Sequence, residues 1–178
     1  MKIIALVGLK CSGKDTVAEY IETKYSYVHI DYTKHLLTPI LNSQGKESTR
    51  ENLVWCAMEL RKAGNEAPTR LLAEKVSGNS VISGIRFKEE VNFLKEKFGR
   101  DFILISVSAD PEVRYKRAVE RNKKGEGTLT FEQFQSKDSL PTEKVIPDTS
   151  KLADFFIENN TTTAALYKKI DKIMERVK

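Results

Sequence analysis

Residues 8–16, GLKCSGKDT, follow directly on the apolar run KIIALV at residues 2–7, and that junction constrains the fold more than any other part of the chain. Gly8, Gly13 and Lys14 satisfy G-x-x-x-x-G-K, the spacing at which backbone N–H groups wrap phosphate oxygens while the lysine reaches the terminal phosphates. Such a loop needs a strand before it and a helix after it, because the positive N-terminal end of the helix faces the same anion. The sequence supplies both. KIIALV reads as a buried first strand, and Val17, Tyr20 and Ile21 recur at helical spacing behind the loop.

The same alternation continues along the chain. YVHI (27–30) reads as a second strand ending at Asp31, and LVWCAMELR with TRLLAEKV supplies helical material up to Val76. SVIS (80–83), followed by GIR, is a third strand, KEEVNFLKEKFG is a helix capped by Gly99, and FILISV (102–107) is a fourth strand. DFFIE (154–158) is a fifth strand, and Leu166, Ile170, Ile173 and Val177 mark an amphipathic last helix. Short apolar runs alternating with helices predict an α/β fold, a five-stranded parallel sheet covered by helices on both faces. From Pro111 to about Pro147 the character changes: an Arg-rich helix, PEVRYKRAVERNKK, runs into GEG, a short polar helix around Phe131 and Phe134, and then prolines. This stretch is expected to be a helical lid insert (111–147) in a single domain over 1–178, a size that one core serves.

Lys and Arg number 30 against 25 Asp and Glu, a net charge of +5 that favours anionic partners. The charge is modest and no aromatic RNA-binding motif is present, which argues against a nucleic-acid partner. MKIIALVGL is too short to span a membrane and lacks a signal-peptide cleavage site. Cys11 and Cys56 offer neither a disulfide framework nor metal-ligand spacing, as expected for a reducing cytoplasm. Monomer and homodimer both remain open.

Within the loop, Gly8, Lys10, Cys11, Ser12, Gly13, Lys14, Asp15 and Thr16 are the candidate nucleotide-binding residues. Asp15 is unusual, since a carboxylate beside phosphates needs a cation between them. Either Asp15 helps to hold Mg²⁺, or it turns away and Thr16 or Ser12 offers a hydroxyl; a third alternative is that Asp15 only favours the helix N-terminus. Cys11 reads as a small loop residue.

VGLKCSGKDTVAEYI resembles the opening of P-loop nucleoside monophosphate kinases and dephospho-CoA kinases, and its Gly-Lys-Asp-Thr variant is similar to the deoxynucleoside monophosphate kinases of phages. STRENL, MELRKAG, VISGIRFKEEVNFLK, SADPEVRYKRAVER, TFEQF and ADFFIENN resemble, in that order, a group of small archaeal proteins of dephospho-CoA kinase-like or adenylate-kinase-related type. The resemblance implies a three-layer P-loop NTPase fold and Mg²⁺-dependent transfer of the γ-phosphoryl group of ATP to a small phosphorylated acceptor. A nucleoside monophosphate, including a deoxy one, leads; dephospho-CoA is the alternative. A non-catalytic or regulatory nucleotide-binding module is the rival of another class.

The resemblance also implies residue roles. Arginines bind the acceptor phosphate in such kinases, and the matching positions are Arg50, Arg61 and Arg86, although a solvated helix face is an equal reading for Arg50 and Arg61. An aspartate is usual where this chain has Ser83, so Asp15 and Asp31 become the candidate acidic neighbours of the metal. Asp31, with Lys34 for positive charge, is expected to orient or activate the acceptor. Arg114, Arg117 and Arg121 are spaced by three and four and project from one side of their helix. Arg117 and Arg121 are the candidate catalytic arginines beside Lys14 and Asp31. Asn159 and Asn160 fall where the base-binding loop lies, or form a plain turn, with Asn160 and Arg117 assigned to the nucleotide. His29 and His35 read as structural or surface residues.

Overall fold

β1 (Ile3–Val7) has every side chain buried, as expected of a strand packed on both faces, and it sits in the middle of the sheet. The computed structural model describes residues 1–121 and 128–177. GEG and the end of the Arg-rich helix from Asn122 lie outside the described residues. The remaining strands are β2 (Val28–Asp31), β3 (Ser80–Ile85), β4 (Phe102–Ser108) and β5 (Phe155–Glu158). All pair in parallel in the order β2-β3-β1-β4-β5, the five-stranded sheet that the alternating pattern predicts.

Side chains alternate across β1 and divide the core in two. Ile3, Ala5 and Val7 face Leu36, Leu37, Leu41, Cys56, Leu72, Val91, Leu94 and Ile146. Those residues come from α2 (Thr38–Ser43), α3 (Arg50–Arg61), α4 (Ala67–Ala73), α5 (Lys88–Phe98), α8 (Ile146–Ser150) and the π-helical turn Thr33–Leu37. Ile4 and Leu6 face Val17, Ala18 and Ile21 of α1 (Lys14–Tyr25) and Leu166, Ile170, Ile173, Met174 and Val177 of α9 (Thr163–Val177). Between β4 and β5 come α6 (Pro111–Arg121), α7 (Phe131–Ser136) and α8.

Local chemistry explains the boundaries. α5 stops at Gly99, whose φ of 53° suits a glycine cap and whose N–H bonds to the Lys95 carbonyl. α7 starts with a capping box between Thr130 and Gln133. Two helices escape the sequence pattern, α2 and α8, each a single short turn or so with proline in its first turn. There proline starts a helix, since its missing N–H has no intrahelical partner anyway. β3 extends past SVIS through Gly84, whose φ of 105° is a left-handed value and whose missing Cβ leaves room for the Tyr32 ring.

Candidate functional site

The loop between β1 and α1 runs over the carboxyl edge of the sheet, where open α/β sheets bind ligands. A Cβ at Gly8 would strike the Val107 carbonyl, and one at Gly13, whose φ is 104°, would strike the Asn159 amide. Both glycines are therefore fixed by close approach as well as by the turn. Cys11 is a non-glycine residue in the left-handed region, at φ 61°. Lys14 Nζ donates to the carbonyls of Gly8 (2.6 Å) and Leu9 (3.0 Å). Burial, and after it the Arg86 guanidinium, lowers its pKa from 10.5 to about 8, against the opposing pull of Asp15 and Glu143. Lys14, Arg86, Glu143 and Asp15 thus share one electrostatic locus. Ser12 Oγ is buried with no hydrogen-bond partner among the described residues, an orphan hydroxyl beneath the loop. Asp15 is exposed in the first turn of α1 and Thr16 is half-buried behind it.

The arginines of α6 converge on this loop. Arg114, only 2% exposed, forms a two-pronged ion pair with Asp138 (2.6 and 3.1 Å) and donates to the Lys10 carbonyl at 3.3 Å. Arg117 donates to the Cys11 carbonyl (3.5 Å) and to the Asn159 carbonyl (2.8 Å). Arg121 lies with Nη2 3.7 Å from Cys11 Sγ. The spacing of three and four therefore brings all three guanidiniums to the loop, Arg114 and Arg117 against its carbonyls and Arg121 against the Cys11 sulfur. Asn159 is buried and its amide donates to the Ser12 carbonyl at 2.9 Å, so it braces the loop from the end of β5. Asn160 accepts from the Asp110 N–H at 2.8 Å, tying the turn after β4 to the turn after β5.

On the other side of β1, Asp31 ends β2 directly opposite Ser83 of β3. Its Oδ1 accepts from the Lys34 N–H at 2.7 Å and its Oδ2 from the Ser83 hydroxyl at 3.3 Å, while the Lys34 side chain is exposed. Arg86 leaves β3 with Nε 2.9 Å from Glu143 and Nη1 3.2 Å from the Gly84 carbonyl. Its backbone N–H bonds to Glu90, a fully buried carboxylate that also accepts from Phe87 N, Tyr32 Oη, Thr69 Oγ1 and Arg61 Nη2. Arg61 is therefore not on a solvated face: its side chain is 10% exposed, and its Nε has no partner among the described residues. Arg50 stands exposed at the start of α3, beside Val54, Trp55 and Met58.

Sequence reasoning missed Glu143, Glu90 and Asp138. Each acts through a partner distant in sequence, and Glu143 sits in a stretch whose prolines read only as breakers. Among the described residues no group of three or more His, Cys, Asp or Glu could hold a metal by itself. Magnesium at nucleotide sites takes one or two carboxylates and draws its other ligands from phosphate and water. Asp15 and Thr16, adjacent in the first turn of α1 behind the loop, supply one carboxylate and one hydroxyl of the kind that requirement asks for. No described helix is long and apolar enough to cross a membrane.

An AAA domain family model matches residues 4–138. A UPF0200 protein of Pyrobaculum aerophilum is 30% identical over 177 residues, which cover 98% of this chain and 97% of that protein. A UPF0200/UPF0201 protein of Archaeoglobus fulgidus is 31% identical over 181 residues, but the match, 98% of this chain, spans only 55% of that protein's length. Shikimate kinase from Bacteroides thetaiotaomicron superposes with a TM-score of 0.66 over 98% of both chains at 18% identity. The fold is thus that of a kinase-like P-loop domain.

Proposed function

This chain belongs to the UPF0200 family and carries an AAA domain over residues 4–138, and from that premise we propose that it is an ATP-dependent phosphotransferase acting on a small phosphorylated acceptor, first among them a nucleoside or deoxynucleoside monophosphate. The observation that carries the reading is the sheet register: β3 pairs with β1 so that Ile85 lies beside Val7, and Arg86 therefore leaves the sheet edge next to the loop that starts at Gly8 and leads to Lys14. A lysine ammonium and an arginine guanidinium at one sheet edge suit two anions brought together, as phosphoryl transfer between them requires.

In this reading the loop amides and Lys14 hold the ATP phosphates, and Arg117 and Arg121 offset the charge that spreads over the moving group. α6 and α7, the described helices of the segment expected as a lid, close over the site and exclude water. Asp31 orients the acceptor oxygen, a phosphate oxygen of a nucleoside monophosphate or the hydroxyl of dephospho-CoA; as the new O–P bond forms and the bond to the oxygen bridging the β- and γ-phosphates breaks, a hydroxyl acceptor passes its proton to Asp31, whereas an ionised phosphate oxygen has none to lose. Arg86 holds the acceptor anion, with the Nε of Arg61, which has no partner among the described residues, as a further donor. Asp15 or Thr16, with Asp31, would hold magnesium, which when bound neutralises phosphate charge. The cytoplasm is the compartment this chemistry suits.

A second reading, a regulatory nucleotide-binding module, is favoured by one observation: Lys14 is engaged by loop carbonyls while Arg86 is engaged by Glu143. A coupled assay separates the two by measuring ADP release from ATP against a panel of nucleoside monophosphates, deoxynucleoside monophosphates and dephospho-CoA. Acceptor-dependent ADP release with one of them, and a raised KM for that acceptor in Arg86→Ala, is expected. ATP binding without acceptor-dependent ADP release would sink the transferase reading.

A further inference from the structure

The chain has two histidines, and both are bound to Asp31 or to its hydrogen-bond partner. β2 pairs with β3 so that Asp31 stands opposite Ser83 and His29 opposite Val81. Side chains alternate along strands, so His29, Asp31 and Ser83 share one face of the sheet. That face lies under α1, because Val81 packs with Val17, Ala18 and Ile21. The network therefore sits beneath the helix that opens with Lys14.

Proton counting orients it. Ser83 is 1% exposed, and its hydroxyl oxygen lies 3.3 Å from Asp31 Oδ2 and 2.8 Å from His29 Nε2. A serine carries a single hydroxyl proton and an ionised carboxylate can only accept, so that proton goes to Asp31. The Ser83 oxygen must then accept from His29, which fixes the proton of His29 on Nε2. A directed chain results, from His29 Nε2–H to Ser83 Oγ and from Ser83 Oγ–H to Asp31 Oδ2. On the other side, Oδ1 accepts from Lys34 N–H at 2.7 Å, and the Asp31 N–H donates to His35 Nδ1 at 2.9 Å, which places the His35 proton on Nε2 as well. Glu22 of α1 closes the network, accepting the His29 backbone N–H at 3.3 Å.

A buried serine needs only one partner to be satisfied, and this one has two, arranged so that a half-buried imidazole bears on a carboxylate through it. We propose that Ser83 and His29 are positioning residues that hold the Asp31 carboxylate in one orientation at the carboxyl edge of the sheet. The proposal rests on the reading of Asp31 as the residue that orients the acceptor. Locking the side chain that meets the reacting oxygen of the acceptor raises turnover more than affinity, because displacement of such a group by about 1 Å can cost on the order of a hundredfold in rate.

The first test needs no acceptor. With only two imidazoles, a long-range ¹H–¹⁵N spectrum at about pH 8, above the ordinary histidine range, reads each tautomer directly. Both rings are expected as the Nε2–H form, and Asp31→Asn is expected to shift the His29 nitrogens through Ser83. A His29 protonated on Nδ1 alone, or His29 signals indifferent to Asp31→Asn, overturns the proposal. The second test uses ATP with the four deoxynucleoside monophosphates and compares Ser83→Ala, Ser83→Thr, Asp31→Asn and the Asp31→Asn/Ser83→Ala pair. Ser83→Ala should lose about tenfold in kcat with little change in KM, Ser83→Thr should restore most of it, and the alanine should add no loss on the asparagine background. Additive losses in the pair would mark Ser83 as merely structural and overturn the proposal. Wild-type turnover by Asp31→Asn refutes the role of Asp31 itself, whatever the spectrum shows.

Discussion

Replacing Lys14 by methionine should make the protein more stable while removing its use of ATP. The Lys14 ammonium is held at a pKa of about 8 rather than 10.5, first by burial and then by Arg86. At 1.36 kcal/mol per pH unit, that fall corresponds to about 3 kcal/mol against the charged native state. The sign follows from linkage. Below pH 8 both folded and unfolded chains carry the proton, and the native state bears the full penalty. Between pH 8 and 10.5 the unfolded chain binds more protons, so stability rises with pH, and above 10.5 the penalty is gone. Methionine has similar length and no charge, but it forfeits the two bonds to Gly8 and Leu9, at about 1 kcal/mol each. The net gain at pH 7 is about 1–2 kcal/mol, or about 2–8 °C in Tm for a chain of this size. Paired thermal scans of wild type and Lys14→Met at about pH 7 and about pH 10 read it, with Lys14→Arg as the charged control. The gain should appear at the lower pH and vanish at the higher. A variant less stable than wild type at pH 7, or a gain independent of pH, would refute the claim that the loop holds a destabilised cation awaiting an anion.

Three further outcomes are expected. Asp138→Asn leaves the buried Arg114 guanidinium without its counter-charge and should cost about 3 kcal/mol in denaturant unfolding, the lower end for breaking a buried pair because Asp138 keeps partial solvent access; a loss below about 0.5 kcal/mol would contradict a stabilising role for that ion pair. Glu143→Gln removes the carboxylate that pairs with Arg86 and raises the Lys14 pKa. It should lower acceptor KM severalfold and drive Lys14 below about 8, both readable by kinetics and lysine-selective NMR, whereas an increased KM would mean that Glu143 itself holds the acceptor. Gly13→Ala, at φ 104° and against the Asn159 amide, should cost about 1–3 kcal/mol of stability and abolish nucleotide binding by calorimetry. Unchanged binding would show that the loop tolerates a side chain there.

The sheet was legible because parallel strands buried on both faces must be short, apolar and separated by helices, and nothing in SVIS or FILISV competes with that reading. The loop was legible because glycines at Gly8 and Gly13 answer local steric demands that a motif can encode. Arg117 and Arg121 were legible too, since residues three and four apart on a helix share a side wherever the helix packs. The rest of the site depends on distance in sequence. Arg86 meets Glu143 across 57 residues, Arg61 meets Glu90 across 29, and His29 meets Ser83 across 54. No periodicity encodes such pairs, and arginine in a helix such as MELR looks alike whether it is solvated or buried against a carboxylate. One long-range feature is nevertheless implicit in the strands: once β2 and β3 pair with Asp31 opposite Ser83, alternation alone brings His29 to the same face. The sequence has a serine where the resemblance to P-loop nucleotide kinases implies an aspartate, which reads as a missing carboxylate. The fold sets the Asp31 carboxylate across the strand pair from that serine, and the serine hydroxyl, too short to replace a carboxylate, is the right length to aim one.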